Sequence, residues 1–294
     1  MHLDQELVDR VSTLHVRARR AVEGVRSGLH QSPHRGASVI FAEHRDYRPG
    51  DDLRLLDWRA YARNDRYTTK HFEQETHLRA HLVLDLSASM SYGEGAQNKA
   101  AYAATVLAAL GLILLGQGDS VGALALSEEV LETLPARGRS DHLESLLRLL
   151  GQQPGPQAGT NLYQGLSQVG ERVGKRGLVA IASDLLDPSP DALRPLSLFK
   201  VMGHDVIVFH VLHRDELELP FSDVTRFEDP EGRQRVDVDP GVIREDYRSR
   251  VETFVDDCRR RCIGAGCRYT LCPTDTPVQQ ALASTLSGGR RGWV

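Results

Sequence analysis

The chain is short of cysteine and aromatics and has no surplus of positive charge. Its four Cys all fall between Cys258 and Cys272, too few and too bunched for a secreted disulfide framework. Thirty-six Lys and Arg against 40 Asp and Glu give a formal charge of −4 over 294 residues. No global basic field therefore exists to hold nucleic acid or an anionic membrane. The longest apolar run, Ala100 to Leu115, falls short of the ~20 residues of a membrane span. It also carries Tyr102 and Thr105 and is flanked by Asn98, Lys99 and Gln117, which predicts a core helix and no membrane span. The opening HLDQELVDRV lacks the apolar centre of a signal peptide. The chain is expected to be soluble and cytoplasmic. Enzyme signatures are missing too: no G-x-x-x-x-G-K-[ST] loop, no G-x-S-x-G elbow, and no G-x-G-x-x-G after the first apolar strand.

What is present is a change of pattern near residue 77. Leu3, Leu7, Val8, Val11, Leu14, Ala18, Ala21, Val22 and Val25 recur at three- and four-residue steps, so residues 3–25 form an amphipathic helix that docks on something. Residues 27–75 are charged and rich in turns, with short strands and one helical turn near DLRLLDW. From Leu78 onward, apolar strands (81–86, 120–126, 129–134, 177–183, 205–212, 267–272) alternate with helices (96–116, 139–151, 161–174, about 189–202, 241–264, 276–287). The stretch FSDVTRFEDPEGRQRVDVD reads as a hairpin turning at Asp229–Gly232. This alternation predicts an α/β fold with a doubly wound, mostly parallel sheet. The expected division is an N-terminal helix and charged aromatic extension over 1–77, a sheet domain over 78–288 with a hairpin near 222–238, and a tail over 289–294.

Ligands of such sheets bind beyond the carboxyl ends of the strands, where strand order reverses. Two of the most apolar strands end there in a carboxylate, Asp85 and Asp184. Ser87 and Ser89 follow Asp85 at alternate positions, and Gly159-Thr160-Asn161 opens a later helix. Two carboxylates and three hydroxyls are hard oxygen donors suited to Mg²⁺. A plainer role is local: Asp85 could cap the loop that follows it, Asp184 the helix after it, and Thr160 could be a helix N-cap.

In this order the five residues resemble the metal-ion-dependent adhesion site of von Willebrand factor A domains. That resemblance implies Ser87, Ser89 and Thr160 on the ion, Asp85 and Asp184 acting directly or through water, and a partner's Asp or Glu carboxylate completing the shell. The preceding FAEHRDYRPGDDLRLLDWRAYARNDRYTTKHFEQET, with ASDLLD and ELELPF, resembles the bacterial domain-of-unknown-function family fifty-eight over roughly residues 30–285. Its members have a von Willebrand A-like domain and accompany MoxR-type AAA+ ATPases. The resemblance implies a non-enzymatic adaptor holding Mg²⁺, Mn²⁺ or Ca²⁺ and working with such an ATPase. The alternatives are a hydrolase or phosphotransferase using the same ion as Lewis acid, or a scaffold whose site holds no ion. Asp85-Leu86-Ser87 comes near the Asp-x-Asp of aspartate-nucleophile phosphatases, but Ser87 stands where the second acid would act, so a proton carrier is lacking.

Two further patterns have bland explanations. Between residues 43 and 75, seven bases and five aromatics interleave, a mixture seen in single-strand binders. Eight acids in the same stretch outnumber the bases, which favours internal ion pairing. Cys258, Cys262, Cys267 and Cys272 are spaced too loosely for a zinc ribbon and are expected to be buried apolar residues.

Overall fold

The computed structural model describes residues 5–30, 44–46, 68–70, 78–138, 142–155, 160–174, 176–228 and 235–287. Contacts divide the chain into two units, residues 1–32 with 78–293 and residues 33–77. The N-terminal helix thus goes with the sheet, not with the charged extension as the expected boundary at residue 77 had it. In the smaller unit, β1 (His44–Asp46) pairs antiparallel with β2 (Thr68–Lys70). The rest of that segment, Trp58 and DLRLLDW included, lies outside the described residues, as does the 229–232 turn.

The larger unit opens with α1 (Gln5–His30) and then builds one six-stranded sheet. Its strands are β3 (Arg79–Asp85), β4 (Ser120–Leu126), β5 (Val130–Arg137), β6 (Gly177–Ser183), β7 (His204–Leu212) and, after a hairpin of β8 (Thr225–Glu228) and β9 (Arg235–Val238), β10 (Arg268–Pro273). The order is β10-β7-β6-β3-β4-β5, parallel throughout except for β5, which runs antiparallel to β4.

Side chains alternate across the central strand and so feed two cores. Leu82 and Leu84 enter one cluster with α2 (Lys99–Gly116), α3 (His142–Leu150), α8 (Val278–Ser287) and α1. Val83 enters the other with α4 (Leu162–Arg172), α5 (Leu196–Val201) and α7 (Pro240–Gly264). Each fully buried Leu or Val contributes roughly 1.5–3 kcal/mol. The target of α1 is α2: Leu14, Ala18, Ala21 and Val25 form one buried stripe at steps of four, three and four. By length and composition α2 is apolar enough to cross a bilayer, yet 72% of it is buried inside the fold.

Two elements differ from expectation. The helix expected over 189–202 is a run of turns until α5 begins at Leu196, because Pro188, Pro190 and Pro195 disrupt helical hydrogen bonding. A short helix, α6 (Arg214–Glu218), follows β7. It was not foreseen, since RDELE is brief and carries a single apolar residue, Leu217.

The topology fixes where a ligand would go. From the adjacent pair β3 and β6 the chain winds outward in opposite directions, through β4 on one side and β7 on the other. The carboxyl ends of β3 and β6 are therefore the switch point, and Asp85 and Asp184 stand at it.

Candidate functional site

Strand pairing brings Leu84 opposite Ala182, so Asp85 and Asp184 emerge side by side though 99 positions apart in the chain. Both are buried, at 1% and 0% exposure. One Asp85 oxygen accepts from Ser87 N–H (2.8 Å) and the other from the Ser183 hydroxyl (2.5 Å). The Ser87 and Ser89 hydroxyls lie 3.2 Å apart, hydrogen-bonded to each other. Ser87 is buried, whereas Ser89 is half-buried at the rim. This loop is held closed by Asn98. Its Oδ1 caps α2 by accepting from Ala101 N–H, and its Nδ2 donates to the carbonyls of Ser91 and Gly93.

Asp184 is differently placed. Its Oδ1 accepts from Leu186 N–H at 3.1 Å, and its Oδ2 accepts from the Lys99 ammonium at 2.8 Å. Lys99 Nζ also donates to Glu216 Oε1 at 2.6 Å, and the Lys99 side chain is fully buried. The first residue of a helix is a poor place for a cation, because the helix dipole is positive there. Burial also pulls the ammonium's pKa down, but Asp184 and then Glu216 more than reverse this, leaving Lys99 above the usual lysine range. Glu216 itself is anchored: it closes a capping box with His213 at the start of α6, and its carbonyl accepts from Tyr247 of α7.

The turn after Asp184 is strained. Leu185 adopts φ +55, a left-handed conformation costing a residue with a Cβ about 1–2 kcal/mol. Its burial in the second core and a hydrogen bond from its N–H to Ser183 Oγ (2.9 Å) offset that cost. Beneath it, His210 Nε2 lies 2.8 Å from the Asp184 carbonyl and Nδ1 lies 2.6 Å from Tyr269 Oη. A carbonyl only accepts, so the neutral ring carries its proton on Nε2 and receives the tyrosine hydroxyl at Nδ1. Burial depresses the His210 pKa to about 4.

Thr160 stands apart. Among the described residues no hydrogen bond or ion pair joins it to Asp85, Ser87, Ser89 or Asp184. It lines a surface hollow with Asn161, Asp187 and Arg194. The N-cap of α4 is Asn161, accepting from Gln164 N–H, so the Thr160 hydroxyl is not spent on capping. Asp187, three residues beyond Asp184, accepts from Leu162 N–H at 2.7 Å and ties that helix to the same loop.

Among the described residues the charge balance of this edge is negative: three carboxylates (Asp85, Asp184, Glu216) meet one ammonium, Lys99. The consequence falls on Asp85, whose pKa burial and then the charge of Asp184 raise to about 6 against the hydrogen bonds from Ser183 and Ser87. Among the described residues no three His, Cys, Asp or Glu side chains are grouped to hold a metal, so any ion here would depend on hydroxyls. Asp85, Ser87 and Ser89 fit a small hard cation: a carboxylate short of positive charge beside two hydroxyls. Asp184 differs in that one of its two hydrogen bonds comes from an ammonium, whereas both donors to Asp85 are neutral. The plainer expectation of a bond within the following loop holds for one oxygen of Asp85. Asp184 caps no helix, since the next begins only at Leu196, and its Oδ1 instead accepts from Leu186 N–H in a turn. Ser183, Lys99, Glu216 and His210 were missed. The four cysteines are buried and unbridged. Cys258, Cys262 and Cys267 lie in one core and Cys272 in the other, across the sheet, so the four do not share one ion.

The sequence profile described as "Protein of unknown function DUF58" matches residues 43–255. The chain belongs to that family. This DUF58 chain is 27% identical over 293 residues to uncharacterized proteins of Mycobacterium tuberculosis and Mycobacterium bovis, covering 98% of itself and 92% of each. Among solved structures it is similar to BatB from Bacteroides thetaiotaomicron (17% identity, 71% of this chain and 97% of that one, TM-score 0.48). It is also similar to an aerotolerance-related membrane protein from Bacteroides fragilis (18%, 72% and 100%, 0.46) and to the SpRpn10 VWA domain (10%, 70% and 94%, 0.36). At TM-scores below 0.5 these likenesses decide nothing about the activity of the DUF58 chain. Its own sheet is the doubly wound α/β arrangement that the von Willebrand A resemblance implies.

Proposed function

We propose that this protein is a non-enzymatic, metal-dependent protein-binding adaptor of the cytoplasm. In this reading a divalent ion, Mg²⁺ or a relative, sits against Asp85, Ser87 and Ser89, with Thr160 and Asp184 nearby, and captures a partner's Asp or Glu. The observation that carries it is the excess of buried carboxylate over ammonium at the switch point, centred on Asp85 beside two hydroxyls. A dication there relieves the repulsion between Asp85 and Asp184 and keeps positive charge for an incoming carboxylate. Following the family resemblance, the partner belongs to a MoxR-type AAA+ ATPase assembly that remodels or matures clients. Pull-down of such an ATPase by tagged protein is expected in Mg²⁺ and lost in EDTA and in Asp85→Ala, with circular dichroism unchanged. Equal capture under all three conditions would count against the adaptor.

The Lys99–Asp184 pair favours a second reading, a scaffold that needs no ion because an ammonium already serves one carboxylate. Isothermal titration showing no divalent binding at millimolar concentration would select it.

A further inference from the structure

The ion pair inside the site bears on how a metal would be held. Both oxygens of each aspartate accept a hydrogen bond, but the donors to Asp85, Ser87 N–H and the Ser183 hydroxyl, are neutral, whereas one donor to Asp184 is the Lys99 ammonium. Lys99 has little freedom to leave, because Glu216 holds it from the far side at 2.6 Å. Glu216 in turn is fixed by the capping box of α6 and by Tyr247. The Lys99 backbone is fixed too, its N–H donating to the Tyr92 carbonyl at 3.0 Å at the close of the Asn98-braced loop. A dication bonded directly to Asp184 would face that ammonium across a single buried carboxylate, where like charges repel strongly.

We propose that Lys99 is a specificity-determining residue of this site: its ammonium, clamped between Asp184 and Glu216, withholds Asp184 from a bound divalent ion and leaves Asp85, Ser87 and Ser89 as the inner ligands. This rests on the metal-dependent reading above and deepens it. An ion with one anionic and two neutral protein ligands keeps a net positive charge. It is held weakly and favours a partner that brings a carboxylate. With Lys99 removed, Asp184 becomes a second anionic ligand, the ion is held more tightly, and its attraction for an outside carboxylate falls.

Titration of the full chain with MnCl₂, followed by calorimetry and by the electron-spin signal of free Mn²⁺, separates the outcomes. Asp85→Asn is expected to weaken Mn²⁺ binding at least about fiftyfold, whereas Asp184→Asn weakens it no more than about fivefold, as for a residue outside the inner shell. Lys99→Met is expected to tighten binding about tenfold or more. Should Lys99→Met fail to fold, with two carboxylates left unpaired, Asp184→Asn still decides, because it keeps the Lys99–Glu216 bond. Equal losses in Asp85→Asn and Asp184→Asn, or no gain in a folded Lys99→Met, would overturn the role of Lys99 and leave the metal site standing. Mn²⁺ binding by Lys99→Met alone would support that role and remove metal dependence from the natural protein. No binding by any form would overturn both.

Discussion

Asp85 is ionised at neutral pH against the preference of its surroundings. Its folded pKa is about 6 against an ordinary 3.8, so the folded state takes up a proton that the unfolded state has already released. The stability this provides is complete below about pH 4 and is lost as the pH rises through about 6. By pH 7.5 the ionised side chain costs the fold on the order of 3 kcal/mol. Asp85→Asn is therefore expected to raise the melting temperature in EDTA at pH 7.5, with the gain vanishing near pH 4. Thermal melts across that range check this, and a pH-independent difference would show that the carboxylate is not under electrostatic strain. The acidic residue was legible in the sequence, as the end of an apolar strand followed by alternating serines. Its strain was not, because that depends on Asp184, a neighbour supplied by another strand.

At the level of elements, periodicity told most of the story. β4 and β6 run over the residues the apolar runs mark, and the amphipathic stripe of α1 is the face that meets α2. Where proline interrupts, the apolar pattern misleads, as it does before α5. Glycine marks another place that periodicity does not explain. A Cβ on Gly122 of β4 would lie 2.6 Å from the Leu134 carbonyl oxygen and 2.7 Å from Ala136 N, both backbone atoms of β5. The register of that pair shifts there, between Val121 and Ala123, so the edge strand crosses closely over a residue with no side chain. Gly122→Ala is expected to cost about 1–3 kcal/mol and to speed amide exchange in residues 130–137 selectively. Uniform exchange across the sheet would place the strain elsewhere.

For the whole molecule, the doubly wound, mostly parallel class could be read from alternation, whereas the strand order that sets the switch point came only with the assembled sheet. Lys99 escaped that reading because a lysine heading an apolar helix looks like a solvated end. Only the assembled sheet, with Glu216 brought in by an unforeseen short helix, shows it facing inward. Thr160 follows from chain order and the family resemblance, and the fold places it in a surface hollow with Asn161, Asp187 and Arg194, without a bond to the other four residues among the described residues. If the edge takes up a dication when folded and not when unfolded, Mg²⁺ should raise the melting temperature of the natural protein in step with its concentration. Asp85→Asn, already relieved of its charge, should show no such response. A matching rise in both would point to binding at some other place.

The chain's only thiols, Cys258, Cys262, Cys267 and Cys272, are sealed within the interior, and burial pushes each to about 11 or 12. The native protein should thus resist maleimide for as long as it stays shut. Alkylation becomes a clock for its breathing, and mass spectrometry of the modified peptides would tell which side of the β-layer loosened first.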